Sequence, residues 1–240
     1  MKNISLLIGT ILGTLLLIFA VSFMFSSTSK NDGEILSVDA QVAAGEARNV
    51  RVFMSETTET GSDVSTSSGS TNQNSNLITV VEFSDFQCPA CKAASSLGEL
   101  VTSTFPGKVR FIFRNFPLDN LHPNARNAAI AAEAVASINK DKYWQMHDLL
   151  FENQEVWSKA KNRQELNDIF VTYMDKLDID RTQFLERIED NSVIQLVTND
   201  SNTGTQLRVN STPTFYVDGV KVSAPQLLST VESLINSSSK

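Results

Sequence analysis

Cys88 and Cys91 are the only cysteines in this 240-residue chain, and two residues separate them. Small exported domains that depend on disulfides for stability carry more cysteines at longer spacings. A disulfide that closes so short a loop also stabilises a fold little. The chain is therefore expected to fold by burying apolar side chains, and the cysteine pair is expected to serve chemistry.

The residues that can build a hydrophobic core are unevenly distributed along the chain. Residues 26–76 are predicted to be a tether, because Ser62–Ser70 has the composition of a flexible linker. Weak alternation at Asn49–Phe53 is compatible with a short strand there. Residues 77–240 form the predicted domain, and a segment of roughly 160 residues is enough for one well-buried core. The net charge of −7 argues against a nucleic-acid-binding surface.

The segment Ile4–Phe25 contains no charged residue and is long enough to cross a bilayer as a helix. Lys2 precedes it, which favours a cytoplasmic N-terminus for residues 1–3 and export of everything downstream. We therefore predict a single-pass anchor in the cell membrane with an extracytoplasmic domain. The alternative is a cleaved signal peptide, because Ala20-Val21-Ser22 resembles a cleavage site. Both outcomes place residues 77–240 outside the cytoplasm.

The pattern after residue 77 predicts an α/β domain. Leu77–Phe83 and Lys108–Arg114 have the composition of strands. Lys92–Phe105, between them, has helical spacing and ends at Pro106-Gly107. A strand, a helix and a second strand of this size predict a βαβ unit with a parallel strand pair.

A helical region follows, at about residues 118–208, and it has no strand signal. The predicted helices are Ala125–Phe151, Gln164–Leu177, Thr182–Ile188 and Val193–Leu207. Asp218-Gly219 then separates the apolar runs Thr214–Val217 and Val220–Val222, which is a strong hairpin signal. A last helix is predicted from Pro225 to Ile235, with Pro225 in its first turn.

The sequence Cys88-Pro89-Ala90-Cys91 follows a predicted strand and opens a predicted helix. Residues i and i+3 of a helix share a face, so the two sulfur atoms can approach bonding distance. Pro89 suits the first helical turn, where a backbone N–H is not needed. Cys88 then lies at the helix N-terminus, where free N–H groups favour its thiolate. Cys91 is expected to be the partly buried resolving thiol.

A zinc site is an alternative use of two cysteines at this spacing. Cys88, Cys91, His122 and His147 supply four possible ligands, but the two histidines are 25 residues apart. That separation is unlike the compact spacing of zinc fingers. We therefore predict no metal and no cofactor.

The segment Val81–Cys91, followed far downstream by Ser211–Phe215, resembles the DsbA-type branch of the thioredoxin-fold proteins. Phe116-Pro117-Leu118, His122-Pro123 and the alanine-rich helix also resemble that branch. The resemblance covers about Leu77 to Ile235. It implies an α/β thioredoxin-like fold with an inserted helical subdomain, and dithiol–disulfide exchange with exported, cysteine-containing proteins. It also implies a membrane partner that passes electrons to quinone.

The resemblance assigns further residues to the site. Thr212-Pro213 matches the family's cis-proline loop, which faces the disulfide and leaves the Thr212 backbone free to pair with a substrate strand. An ordinary trans proline is the alternative. Glu82 matches a buried acid beneath the resolving cysteine, whose raised pKa suits it to relay the Cys91 proton; a solvent-facing strand glutamate is the alternative. Substrate contacts are expected from Thr212, Pro213, Pro89 and Ala90.

Ala90 departs from the family pattern, because strongly oxidising members have a thiolate-stabilising histidine at its position. A disulfide-forming oxidase is favoured, and a reductase or an isomerase is the alternative within the family. A redox-silent, tethered domain that binds peptide or metal is the alternative from another class. No oligomeric state is predicted.

Several other residues near the motifs are expected to have structural roles or to contact substrate. His122 is expected to cap the next helix, and His147 is expected to pack in a helix together with Tyr143 and Trp144. Asp85 and Phe86 are candidates for a substrate groove, although Phe86 is equally suited to the core.

Overall fold

The computed structural model describes residues 49–52 and 77–238. The strands are β1 (Val50–Arg51), β2 (Ile78–Ser84), β3 (Val109–Asn115), β4 (Thr214–Val217) and β5 (Val220–Val222). The α-helices are α1 (Pro89–Ala94), α2 (Leu97–Thr104), α3 (Ala125–Ile138), α4 (Tyr143–Glu152), α5 (Gln154–Trp157), α6 (Arg163–Leu177), α7 (Arg181–Arg187), α8 (Asn191–Gln206) and α9 (Leu227–Ser238). Two short 3₁₀ turns occupy Lys140–Lys142 and Ala224–Gln226.

The predicted membrane segment at residues 4–25 and most of the predicted tether lie outside the described residues. Within 49–52 and 77–238, no helix is both long and apolar enough to cross a membrane. The single-pass anchor therefore stays a prediction.

The strands form one mixed sheet in the order β1-β3-β2-β4-β5. β2 and β3 are parallel, which confirms the predicted βαβ unit, and β4 pairs with β2 in the antiparallel direction. The β4–β5 hairpin is also confirmed, because Asp218 and Gly219 both have positive φ, at 45° and 80°, as a type I′ turn requires. Helices α3 to α8 lie between β3 and β4 in sequence and form the predicted helical insertion.

Side chains of the central strands alternate between two hydrophobic clusters, one on each face of the sheet. Val80, Phe113 and Phe215 belong to the larger cluster, which also contains Cys88 and Cys91. The smaller cluster contains Val81, Phe83, Ile112, Phe116, Val209 and Tyr216. β2 is buried at every one of its positions, as central strands covered on both faces are. The loop that carries the cysteines therefore starts from a fixed strand end.

The single helix predicted at Lys92–Phe105 is wrong, because the helix breaks between α1 and α2. Ser95 N–H donates to the Lys92 carbonyl at 3.3 Å, and Ser95 Oγ donates to the same oxygen at 2.9 Å. Both bonds use the carbonyl that would accept from Ser96 N–H in a continuous helix. A serine side chain thus competes with the helical ladder at this point.

Two other helix boundaries differ from the prediction. Asn139 has extended backbone and its side chain accepts a hydrogen bond from Asp141 N–H, so the run predicted at Ala125–Phe151 is divided into α3 and α4. The last helix begins at Leu227, because Pro225 lies in the preceding 3₁₀ turn.

The weak alternation at Asn49–Phe53 does mark a strand. Val50 pairs with Ile112 in β3, so β1 extends the sheet on that side. Asn49 Nδ2 donates to Glu133 Oε1 at 2.7 Å, and this contact is buried. Residues 49–52, which the sequence assigns to the tether, are therefore attached to the folded domain.

Gly98 fixes the distance between α2 and the sheet. A Cβ at position 98 would lie 2.5 Å from Phe111 Cε1. Gly98→Ala is therefore expected to lower the free energy of unfolding by about 1–3 kcal/mol through overpacking, measured by urea unfolding. Combining it with Phe111→Leu should cost less than the sum of the two single changes. A Gly98→Ala variant as stable as the parent would contradict this packing.

Candidate functional site

Cys88 lies where β2 has ended and α1 begins. It is the N-cap residue of α1, with extended backbone, and Pro89 occupies the first helical turn. Its N–H donates to Asp85 O at 3.0 Å and its carbonyl accepts from Lys92 N–H at 3.1 Å. The backbone N–H groups of the first turn thus lie beside the Cys88 sulfur and have no helical partners.

The Cys88 thiol is only 8% exposed, yet its surroundings favour the negative charge. Its pKa is lowered from 9.0 to about 5, chiefly because the Cys91 thiol donates a hydrogen bond to it. Burial opposes this shift, and the Thr212 hydroxyl and the N–H groups of Cys91 and Ala90 lower the pKa further, although Thr212 Oγ1 makes no hydrogen bond of standard geometry. Cys88 is therefore a thiolate at neutral pH, which is the reactive form of a thiol.

Cys91 has the opposite electrostatic environment. Its side chain is fully buried, and burial together with the neighbouring Cys88 raises the pKa of its thiol. Asp85 N–H donates to Cys91 Sγ at 3.5 Å. A buried thiol that hydrogen-bonds the outer sulfur is suited to form or break a bond with it, and it is inaccessible to large substrates.

Thr212 and Pro213 face Cys88, as the resemblance implies. The Thr212–Pro213 peptide bond is cis, and the Cys88 thiol lies 3.5 Å from the Thr212 carbonyl oxygen. Thr214 begins β4 and pairs with Phe83 of β2, so neighbouring strand ends bring this loop to the cysteines. Pro89 and Ala90 are exposed beside Cys88, and their expected contact with a substrate stays a prediction.

Glu82 is buried on the same side of the sheet as Cys91. Its side chain alternates with Val81 and Phe83, and it lies between Phe113 and Phe215 of the adjacent strands. Burial raises the pKa of its carboxyl to about 8. Its Oε1 atom has no hydrogen-bond partner, and the proton relay expected of this acid stays a prediction.

Ser84 is a polar neighbour that the sequence analysis missed. It follows Glu82 by two residues in β2, so both side chains point to the same face. Its hydroxyl lowers the pKa of both Glu82 and Cys91, although it makes no hydrogen bond of standard geometry. The period of two along the strand was the signal that could have found it.

Gln154 of α5 is a second missed residue, and it supports the loop from the helical insertion. Its buried side-chain amide donates to the carbonyls of Phe86 and Cys88 at 2.8 and 3.0 Å. These carbonyls are inaccessible to water, so the two bonds hold the loop in place. Gln154 is 66 residues from Cys88 in sequence, and no local pattern identifies such a contact.

The two histidines occupy separate places. His122 Nδ1 lies 2.8 Å from Asp85 Oδ2, so the expectation that its side chain caps the next helix is wrong. His147 is buried against Phe86 and Phe113, as expected for a packing residue. In the described part of the chain, no three His, Cys, Asp or Glu residues are grouped to hold a metal ion.

Asp85 and Phe86 are both buried, so neither lines a surface groove. Phe86 stacks on Phe113, with ring centroids 5.2 Å apart, and contacts Phe151. The core interpretation of Phe86 is therefore confirmed. The Asp85 carboxylate is fully enclosed by hydrogen-bond donors.

Two thiols of opposite acidity at a helix start, beside a cis-proline loop at the same end of a mixed sheet, define a thioredoxin-like dithiol protein. Residues 72–237 match the family model described as Thioredoxin. The chain therefore belongs to the thioredoxin family.

Two solved structures are similar to this chain. The thiol-disulfide exchange protein alpha-DsbA2 from Wolbachia pipientis is 26% identical, with a TM-score of 0.54 over 68% of this chain and 84% of that chain. BdbD from Bacillus subtilis, in its oxidised form, is 23% identical, with a TM-score of 0.56 over 67% of this chain and 89% of that chain. At 23% identity, the likeness to BdbD shows a shared fold.

Two kinds of relative share the domain sequence. The Na(+)/H(+) antiporter NhaA 3 of Salinispora tropica is 34% identical over 149 residues, which are 62% of this chain and 21% of the antiporter. The chain therefore spans about a fifth of the length of such antiporters. The probable disulfide bond formation protein D of Bacillus cereus is 30% identical over 146 residues, which are 59% of this chain and 66% of that protein. The chain is thus a member of the thioredoxin family that is similar both to DsbA-type exchange proteins and to a segment of these antiporters.

The acidity of Cys88 gives a prediction for its reactivity. In the reduced chain, the rate of Cys88 alkylation by iodoacetamide should rise with pH through a midpoint near 5, because the thiolate is the reacting form. Thr212→Val keeps the side-chain shape but removes the hydroxyl, so its midpoint should lie at higher pH. Mass spectrometry of the alkylated peptide gives the rates. A midpoint near 9 in the parent chain would contradict the described environment.

Proposed function

We propose that this protein is an extracytoplasmic thiol–disulfide oxidoreductase that forms disulfide bonds in exported proteins. The observation that carries the proposal is the placement of Cys88 at the start of α1, with the buried Cys91 three residues later and the cis-proline loop beside them. This placement lowers the pKa of Cys88 and raises that of Cys91. A thiolate at the start of a helix with a buried partner thiol performs exchange in two steps without releasing an intermediate. The class of its DsbA-type relatives supports the same activity.

The proposed reaction passes through a mixed disulfide. A substrate thiolate attacks Cys88 Sγ of the oxidised protein, the Cys88–Cys91 bond breaks, and Cys91 leaves as a thiolate. A second substrate thiolate then attacks the substrate sulfur, which forms the substrate disulfide and releases Cys88 as a thiolate. Two electrons move from the substrate to the protein. Glu82 is protonated at neutral pH because of its raised pKa, and it supplies the proton that Cys91 takes up.

The direction of electron flow follows from the stability of the reduced form. A thiolate stabilised at Cys88 favours the dithiol over the disulfide, which makes the oxidised protein an oxidant. Ala90 contributes only its backbone N–H to this stabilisation. We therefore infer a moderately strong oxidant, and a reductase would require a more reducing couple.

We also propose where the reaction takes place and which kind of partner reoxidises the protein. The uncharged segment Ile4–Phe25 would anchor the chain and place the domain outside the cytoplasm. Because each substrate oxidation leaves the protein reduced, a partner must accept the electrons. A membrane protein that passes them to quinone fits a tethered domain.

The exchange activity is tested with a peptide that contains two cysteines. The oxidised full-length chain should convert one equivalent of reduced peptide to its disulfide, followed by mass spectrometry. Cys88→Ser should abolish the reaction, because it removes the sulfur that the substrate attacks. Cys91→Ser, tested after activation of Cys88 as a mixed disulfide with glutathione, should still exchange with the peptide, and a peptide with a single cysteine should remain as a protein–peptide adduct because Cys91 can no longer displace it.

A Cys→Ser change replaces a single atom, so Ser103→Ala, a similarly small change at an exposed position of α2, serves as a control and should leave the yield of peptide disulfide unchanged. Full peptide oxidation by Cys88→Ser would overturn the proposed function.

A further inference from the structure

Asp85 is a buried carboxylate that the proposed exchange reaction does not use. Its side chain accepts three hydrogen bonds: from Gln87 N–H at 2.7 Å, from Leu118 N–H at 2.8 Å and from His122 Nδ1 at 2.8 Å. The carboxylate is fully buried, and the His122 ring is 19% exposed. These contacts tie the loop after β2 to the segment that leads into α3.

The backbone of Asp85 contacts both cysteines. Its N–H donates to Cys91 Sγ at 3.5 Å, and its carbonyl accepts from Cys88 N–H at 3.0 Å. A backbone donor aimed at a buried sulfur stabilises that sulfur when it becomes negatively charged. The direction of this N–H depends on the backbone at Asp85, and the three contacts of the carboxylate fix that backbone.

We propose that Asp85 and His122 are positioning residues that hold the Asp85 N–H on the Cys91 sulfur and so speed the step in which Cys91 exchanges with Cys88. This inference rests on the proposed function. When Cys91 resolves a mixed disulfide, its thiolate attacks Cys88 Sγ, the Cys88–Cys91 bond forms, and the bond from Cys88 to the partner breaks. The partner leaves as a thiolate with the electron pair, and the Cys91 proton is released. In the opposite direction Cys91 is the leaving thiolate, so the same N–H acts on the same atom.

A second His–Asp pair provides a matched control. His147 Nδ1 lies 2.8 Å from Asp148 Oδ1, the same distance as in the His122–Asp85 pair. Asp148 is half-exposed, and none of its described hydrogen bonds or ion pairs involves a cysteine. Asp148→Asn therefore makes the same chemical change as Asp85→Asn without touching the route to Cys91.

The test separates the two cysteines by their reactions with the disulfide reagent 5,5′-dithiobis(2-nitrobenzoate). Cys88 of the reduced full-length chain attacks the reagent and releases one thionitrobenzoate, leaving a mixed disulfide. Cys91 then displaces the second thionitrobenzoate, so the dithiol is oxidised and the reagent is reduced by two electrons. Stopped-flow absorbance gives a first phase that reports Cys88 and a second phase that reports Cys91.

In Asp85→Asn, the second phase is expected to slow by about fivefold to tenfold, while the first phase stays within about twofold. An amide offers one acceptor oxygen where the carboxylate offers two, so its donors cannot all be satisfied. His122→Phe keeps the two backbone donors to Asp85 and should slow the second phase by about twofold to threefold. This milder variant carries the test where Asp85→Asn fails to fold. Asp148→Asn should leave both phases within about twofold of the parent.

Different results would contradict the positioning role and the proposed function. Unchanged second phases in both Asp85→Asn and His122→Phe would overturn the positioning role alone. Equal slowing of both phases would also overturn it, because a general loss of structure acts on both cysteines. Release of a single thionitrobenzoate by the parent chain would instead overturn the proposed dithiol exchange itself.

Discussion

The buried central strand β2 determines where the groups of the site lie. Its parallel pairing with β3 and antiparallel pairing with β4 fix its carboxyl end beside the start of β4. The cysteine loop therefore leaves β2 opposite the cis-proline loop that enters β4. Glu82 and Ser84 project from the last positions of the same strand toward the buried thiol. A shift of one residue in this register would send both polar side chains to the other face and remove them from the site.

The chemistry arises from an asymmetry between two sulfur atoms. Cys88 is surrounded by donors that lower its pKa, including the Cys91 thiol and two backbone N–H groups. Cys91 lies behind it, where burial disfavours the negative charge. At neutral pH, Cys88 thus favours the thiolate and Cys91 favours the protonated thiol. Cys91 carries the negative charge only when it attacks or leaves Cys88. The Asp85 backbone hydrogen-bonds both cysteines, because its N–H donates to Cys91 Sγ and its carbonyl accepts from Cys88 N–H.

Local sequence patterns predicted much of the fold and part of the site. The βαβ unit and the Asp218-Gly219 hairpin follow from short-range patterns, and the cysteine spacing indicates a shared helical face. The cis state of Pro213 was implied only by the family resemblance. The break after Ala94 was missed because serine side chains compete with the helix in a way that helical spacing does not reveal. Gln154 and His122 were missed as site residues because their contacts join segments 66 and 37 residues apart, which no periodicity records.

The central claim is that Cys88 and Cys91 form a reversible couple whose reduced form is stabilised by the Cys88 thiolate. The most direct test is the reduction potential of the full-length chain, equilibrated in glutathione buffers and quantified by thiol alkylation. With the pKa of Cys88 at about 5, the account predicts a value between about −270 mV, as in thioredoxin, and about −120 mV, as in the strong oxidant DsbA. A value at or below about −270 mV, or the absence of a two-electron couple, would contradict it.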